Sequence, residues 1–253
     1  MKAEEYGRMH AAEERQWWYA GMRAIAFGLL DRELERTRPA SPSPREAAPL
    51  RFLDAGCGTG LNLEHLTGRG SAAGVDLSPE AVRFCRSRGV AVVRASVLDL
   101  PLAPASFDGA LSLDVLYHAW VEDDAAAVRE LARVLKPGGL LLLRVPALRI
   151  LWGAHDEAVH SRHRYTRGEV ARLVEGAGLR VRRLSYCNSI LFPLLLVRRT
   201  LDRVCGRHGS DVEFLPAPLE WAFRKALEVE AALLRGGANL PLGASVVAVA
   251  RKP

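Results

Sequence analysis

The chain has 253 residues, of which 49% are hydrophobic and 25% charged, with a formal net charge of +6. That composition suits one globular α/β domain with additions, or a domain carrying a small cap. The charged N-terminus, MKAEEYGRMHAAEERQWW, does not read as a signal peptide, and the longest purely apolar run, Ile190–Val197, is too short to span a bilayer.

Residues 1–36 read as an amphipathic segment forming an N-terminal helical cap. Within it Trp17, Trp18 and Tyr19 are consecutive, so a helix cannot turn all three rings toward one core. TRPASPSPREAAP, 37–49, is rich in Pro, Ser and Ala and reads as a flexible linker. From residue 50, strand and helix patterns alternate. RFLDA (51–55) is a short buried strand, GCGTG follows it, and Leu61–Thr67 opens a helix. SAAGVD is a second strand ending at Asp76. The next helix has Ser78 as N-cap and Pro79 at its first position, and stops at Gly89. VAVVRA and FDGALSL are the third and fourth strands, and EDDAAAVRELARVL is a helix with acids in its first turn. KPGG turns into a fifth strand, LLLLRV; Thr166 and Glu169 form a capping box for a helix ending near Gly176–Gly178; LRVRRLSY is the sixth strand. Residues 189–243 are helical and apolar, and ASVVAVA closes the chain as a last strand. Alternation at this spacing predicts a doubly wound parallel sheet, with ligands at the carboxyl ends of its strands.

Gly56, Gly58 and Gly60 fall between the first strand and the first helix, where backbone can approach a ligand closely. Asp76, about twenty residues on, ends the second strand and is placed to accept two ribose hydroxyls. The glycines do not follow the dinucleotide spacing GxGxxG, and they are preceded by an acid, Asp54. A buried carboxylate fits poorly beside a pyrophosphate. It fits an ammonium group, held directly or through water and loop amides. An amine, a ribose and an adenine without phosphate describe S-adenosylmethionine (SAM).

With those residues in view, the chain resembles the class I SAM-dependent methyltransferases. LDAGCGTG is similar to the family's first motif and GVDLS to its second, and FDGALSLDVLYH, EDDAAAVRELARVLKPGGLLLLRVP and the closing strand follow in order. The likeness covers roughly residues 50–188 and 244–251. It implies a Rossmann-like, seven-stranded sheet with an antiparallel last strand, here carrying the N-terminal cap and a helical lid insertion, 189–243, within a domain of residues 50–253. It also implies site roles. Gly56 and Gly58 would line the methionine end with Asp54 behind the amine, Asp76 would hold the ribose, and Leu77 would pack on adenine. Where relatives often have an acid near the adenine amine this chain has Ser96, so adenine recognition falls to Ser96 and Val97, with Asp99 nearby. Leu113 and His118 would face cofactor and substrate.

The stretch LWGAHDEAVHSRHRYT, after the fifth strand, borders the substrate pocket in such folds. His155 is the first candidate base and His118 the second. Tyr117, Trp152 and Tyr165 would line the acceptor side. His155, His160 and His163 match no common zinc spacing, and no metal is expected. Folded over the pocket, Trp18 would meet the acceptor, and Tyr19 and Arg23 the cofactor, Arg23 through its carboxylate; plain docking on the sheet edge is the other reading of this segment.

The insertion reads as extra core or a homodimer surface, as a lid for an apolar acceptor, or as a patch on a membrane surface. The expected function is methyl transfer to a small, apolar or lipid-like acceptor in biosynthesis. A nucleic-acid or protein methyltransferase, or a SAM-binding protein catalysing another reaction, is the alternative. Scattered arginines and the absence of a basic module argue against nucleic acid. Four cysteines with no CxxC pair suit a reduced, cytoplasmic setting.

Overall fold

The computed structural model describes residues 3–37, 48–205 and 215–253. Seven strands form one sheet: β1 (Leu50–Ala55), β2 (Gly70–Asp76), β3 (Ala91–Arg94), β4 (Phe107–Leu113), β5 (Leu135–Pro146), β6 (Arg180–Cys187) and β7 (Ser245–Arg251). Their order is β3-β2-β1-β4-β5-β7-β6. β7 runs antiparallel to both β5 and β6, and the remaining neighbours pair in parallel. This is the expected Rossmann-like sheet with its antiparallel last strand. The winding reverses at β1, between β2 and β4, so a crevice opens at the carboxyl ends there.

The described helices are α1 (Ala3–Ala12), α2 (Trp17–Thr37), α3 (Leu61–Thr67), α4 (Pro79–Ser87), α5 (Asp124–Val134), α6 (Ala154–Ala158), α7 (Arg167–Gly176), α8 (Phe192–Cys205) and α9 (Ala217–Gly236). Successive strand residues face opposite layers. In β5, Leu141, Leu143 and Val145 meet α5 and α7, while Leu140 and Leu142 meet α2, α3 and α9. Both sheet faces are therefore covered, which is why these strands read as unbroken apolar runs. Local signals fix the helix starts. Ser78 Oγ accepts the Glu80 amide at 3.1 Å, and Thr166 and Glu169 exchange the reciprocal bonds of a capping box.

Two expectations change. KPGG belongs to β5 rather than to a turn before it, because Gly138 and Gly139 pair with Lys252 at the chain's end; a register shift between Phe107 and Gly109 absorbs the irregularity. The N-terminal segment is two helices, and only α1 lies outside the core. Met22, Ile25, Leu29 and Leu30 make α2 one layer of the domain. Gly21 lets α2 approach α9, since a Cβ there would stand 2.4 Å from Leu227 Cδ1. Of the linker expected at 37–49, residues 38–47 lie outside the described residues, as do 206–214 of the insertion.

The insertion is anchored by one buried acid. Glu230 of α9 is fully buried, and its Oε2 accepts the amides of Ser189 and Ile190 at 2.7 and 3.0 Å. Those amides open the loop from β6 into α8. Glu230→Ala leaves them without an acceptor, at about 1–3 kcal/mol for each buried donor. We expect urea denaturation to show a loss on the order of 2–4 kcal/mol, and Glu230→Gln, which keeps a carbonyl acceptor, to lose clearly less.

Candidate active site

A cavity of about 370 Å³ opens at the carboxyl ends of β1, β2 and β4 and runs beneath α1, α2, α8 and α9. Its floor is the glycine turn. Gly56 and Gly58 adopt φ of 85° and 55°, a region that side chains disfavour. A Cβ on Gly56 would collide with Val115 at 2.3 Å, and one on Gly58 would meet Met9 Cε at 3.0 Å. The turn is tied to the second strand, because the Gly56 and Cys57 amides both donate to the Val75 carbonyl.

Asp76 closes this end. Its Oδ2 accepts the Gly58 amide at 2.9 Å, and its Oδ1 accepts the Ser78 amide at 2.9 Å and the Tyr6 hydroxyl at 3.5 Å. Burial raises its pKa, and those hydrogen bonds oppose the rise. Leu77, 45% exposed, sits beside it with Ser96 and Val97. Asp99 is exposed and outside the cavity. Asp54, the last residue but one of β1, lies behind the turn and outside the cavity lining. It is fully buried, and its Oδ2 has no hydrogen-bond partner. Burial first, and then the charge of Asp76, push its pKa up to about 7, with Arg144 pulling the other way.

Arg144, at the end of β5, reaches Asp114 at 2.5 Å and the Met22 carbonyl at 3.1 Å, and its guanidinium lies 5.5 Å from the Trp18 ring centre. The pair ties β4 and β5 to α2. Trp17, Trp18, Tyr19 and Arg23 all line the cavity. Trp17 also packs edge-on against Phe223 of α9, and both tryptophans border the core under α2, so this segment lines the cavity and docks on the domain at once.

On the far wall, His118 Nδ1 donates to the Val159 carbonyl at 2.9 Å, and its ring stacks on Trp120. That bond leaves Nε2 as the acceptor nitrogen, and burial lowers the pKa to about 4. His155 and Tyr117 also line the cavity, and His155 Nδ1 is buried without a partner. Asp156 both caps α6, accepting the Gly153 amide at 2.9 Å, and holds Arg164 in a two-pronged pair.

Two expected acceptor residues lie elsewhere. Tyr165 is buried outside the cavity, because its hydroxyl is drawn to Asp124 of α5 at 2.7 Å. Trp152 ends the short 3-10 turn Arg149–Leu151, outside the lining, and its carbonyl accepts Arg203. His163 turns to Glu169, away from His155. Among the described residues, no three His, Cys, Asp or Glu side chains are grouped to hold a metal.

Several lining residues went unnoticed in the sequence: Tyr6, Met9, Glu13, Asn188 and Phe223. Asn188 had a signal, since it directly follows a strand. It is 4% exposed at φ 55°, with Oδ1 unpartnered.

The sheet order and this crevice define the class I SAM-dependent methyltransferase fold. Residues 53–143 match the family described as "Methyltransferase domain". The chain is 37% identical over 107 residues to a tRNA (carboxymethyluridine(34)-5-O)-methyltransferase of Arabidopsis thaliana, covering 42% of this chain and 25% of that protein. It is 37% identical over 150 residues to a ubiquinone biosynthesis O-methyltransferase of Xanthomonas euvesicatoria pv. vesicatoria, covering 54% of this chain and 60% of that protein. The chain thus spans less than two thirds of the length of either. A solved chain from the complex of the Haloferax volcanii Trm112 methyltransferase activator with a methyltransferase superposes with a TM-score of 0.57 at 20% identity, covering 98% of this chain and 94% of that one. These likenesses include RNA enzymes, so the expected exclusion of nucleic acid finds no support in them. Among the described residues no helix is long and apolar enough to cross a membrane.

Asp54 yields a pH prediction. Its folded pKa, about 7, stands above its ordinary value, so folding takes up a proton at acid pH. The stability tied to this group is present below about pH 4 and is lost as pH rises to 7. Asp54→Asn removes the buried charge. It should stabilise the ligand-free protein at pH 8 by on the order of 2–4 kcal/mol at about 1.4 kcal/mol per unit. Calorimetric melting should show that advantage shrinking as pH falls from 7 to 4.

Proposed function

We propose that this chain transfers a methyl group from SAM to a small, apolar or lipid-like acceptor. The observation that carries the reading is one continuous cavity: a polar end at Gly56, Gly58 and Asp76, and an apolar end at Leu191, Leu195 and Phe223. Its size is ordinary for a site taking small organic molecules.

The polar end fits SAM. Asp54, buried behind the glycine turn with Oδ2 unpartnered, would act on the ammonium of the cofactor from outside the lining, through the turn. Asp76 would accept the ribose hydroxyls, already oriented by the Gly58 and Ser78 amides. Leu77 would pack on the adenine, with Ser96 and Val97 at its edge, and Leu113 would border the reacting end. Tyr19 and Arg23 would close over the amino-acid portion. When bound, SAM supplies an electrophilic methyl group on a sulfonium.

The chain's residues then orient the acceptor and exclude water. Trp18 offers an aromatic face near the positive charge. His118 Nε2 and His155 Nδ1 would accept hydrogen bonds from the acceptor's nucleophile, with Tyr117 beside them. The insertion, 189–243, acts as the acceptor lid and α1 as the cofactor cap. A cytoplasmic setting belongs to the same proposal, supported by the free thiols of Cys57, Cys85 and Cys187. The second reading is an RNA acceptor, favoured by the tRNA methyltransferases among the similar proteins and by the net charge of +6. Labelled SAM offered with a polyprenyl phenol, a fatty acid or total tRNA separates the two. Label in tRNA alone would overturn the apolar acceptor.

Two measurements test the cofactor end. Asp76→Ala should weaken SAM binding in titration calorimetry by about 1.5–3 kcal/mol, the scale for hydrogen bonds involving a charged group, in a chain that still folds but melts lower, because the Gly58 and Ser78 amides lose their acceptor. Unaltered affinity would remove Asp76 from the site. The ammonium needs Asp54 ionised, so affinity should rise from pH 5.5 to 7.5. It should fall again above about 8 as the cofactor's α-amine loses its proton. Asp54→Asn should bind weakly and lose the acid limb.

A further inference from the structure

Helix α8 is apolar on two sides. Leu191, just before it, Leu195 and Arg199 follow each other at four-residue spacing and line the cavity. On another side, Leu194, Val197 and Leu201 stand at i, i+3 and i+7, a single stripe, and they are 52%, 57% and 56% exposed. Ile190 extends the stripe at 45%. Ile150, 55% exposed, joins it from the 3-10 turn, which packs on α8 and whose carbonyl at Ile150 accepts Arg203. A surface helix ordinarily turns charge outward. Five large aliphatic side chains on one exposed side need an occupant.

The rim says which. Arg149, Arg198 and Arg203 are exposed around the stripe. Among the described residues of α8, Asp202 is the acid, and it faces Arg198 at 3.8 Å. Arginine stems can lie along an apolar surface while their heads reach out to anions. A second copy docked face to face about a twofold axis would bring the same arginines together, an arrangement that like charges oppose. An anionic bilayer offers acyl chains to the stripe and headgroup charge to the rim.

We infer that the outer side of α8, with Ile150, seats this protein on an anionic lipid surface and that the cavity opens toward that surface. Leu194 and Arg198 belong to both the exposed side and the cavity lining, so apolar surface continues from one to the other. A lipid-like acceptor enters along that continuity without crossing water. The inference deepens the reading of an apolar acceptor, yet its test needs no acceptor.

The full chain is floated with vesicles of phosphatidylcholine, alone or mixed with phosphatidylglycerol, at low and high salt. Binding is expected to the mixed vesicles, weaker at high salt, and weaker still to phosphatidylcholine alone. Val197→Glu with Leu201→Glu lies outside the cavity lining. It should cut binding at least tenfold and leave melting and calorimetric SAM affinity unchanged. Should that pair fail to fold, Val197→Ser with Leu201→Ser removes the apolar surface without adding charge and should also lose binding. Arg149→Glu should weaken binding to the mixed vesicles only. Wild-type protein that ignores all vesicles, or double variants that bind as wild type, overturn the inference. So does a dimer in sedimentation equilibrium that the double variant dissolves, which would assign the face to a second copy. Loss of SAM binding with vesicle binding intact would instead strike the methyltransferase reading alone.

Discussion

A carboxylate with no partner, buried at the point where the sheet's winding reverses, organises this molecule. Asp54, next to the end of β1, has Oδ2 unsatisfied, and Arg144, the cation that lowers its pKa, is already committed to Asp114. A buried group of this kind costs stability unless something cationic reaches it. The surrounding structure does not fill the need. Asp76 adds a second negative charge close by.

The other additions convert an open crevice into an enclosed one. Strands β1, β2 and β4 alone would present the turn and Asp76 to water. Helix α1 brings Met9 onto Gly58 and Tyr6 onto Asp76. A short tie through Glu13 holds this cap down, since Glu13 bonds both Thr59 of the turn and Arg88 beyond α4. Opposite, Glu230 gathers the amides that start α8, so the apolar wall depends on one buried acid of α9. Excluding water in this way strengthens each polar contact inside.

Strand and helix positions were legible because their causes are local. Apolar runs, Ser78 with Pro79, and Thr166 with Glu169 each act within a few residues. That Gly56, Gly58 and Asp76 line the cavity was legible because crevices open at the strand ends of doubly wound sheets. What escaped depends on distant packing. Nothing in α1 announces that Met9 will rest on Gly58. The Arg144–Asp114 pair requires the register that sets Leu113 opposite Arg144. Tyr165 was misplaced by proximity in sequence: it sits in the histidine-rich stretch, but its hydroxyl finds Asp124 on the α5 side of the sheet.

The electrostatics of the far wall bear on the kind of help an acceptor receives. A general base works best with a pKa near the working pH. His118 is held down to about 4 by burial, so it is neutral at pH 7 and takes up a proton poorly. Its fixed tautomer, set by the Val159 carbonyl, makes Nε2 a directional acceptor instead. Such a group aligns a hydroxyl or amine without removing its proton. Methyl transfer needs a nucleophile in line with the sulfonium, and alignment in a dry cavity is the larger part of that barrier. For methyl transfer as proposed, His118 would therefore orient an acceptor rather than deprotonate it.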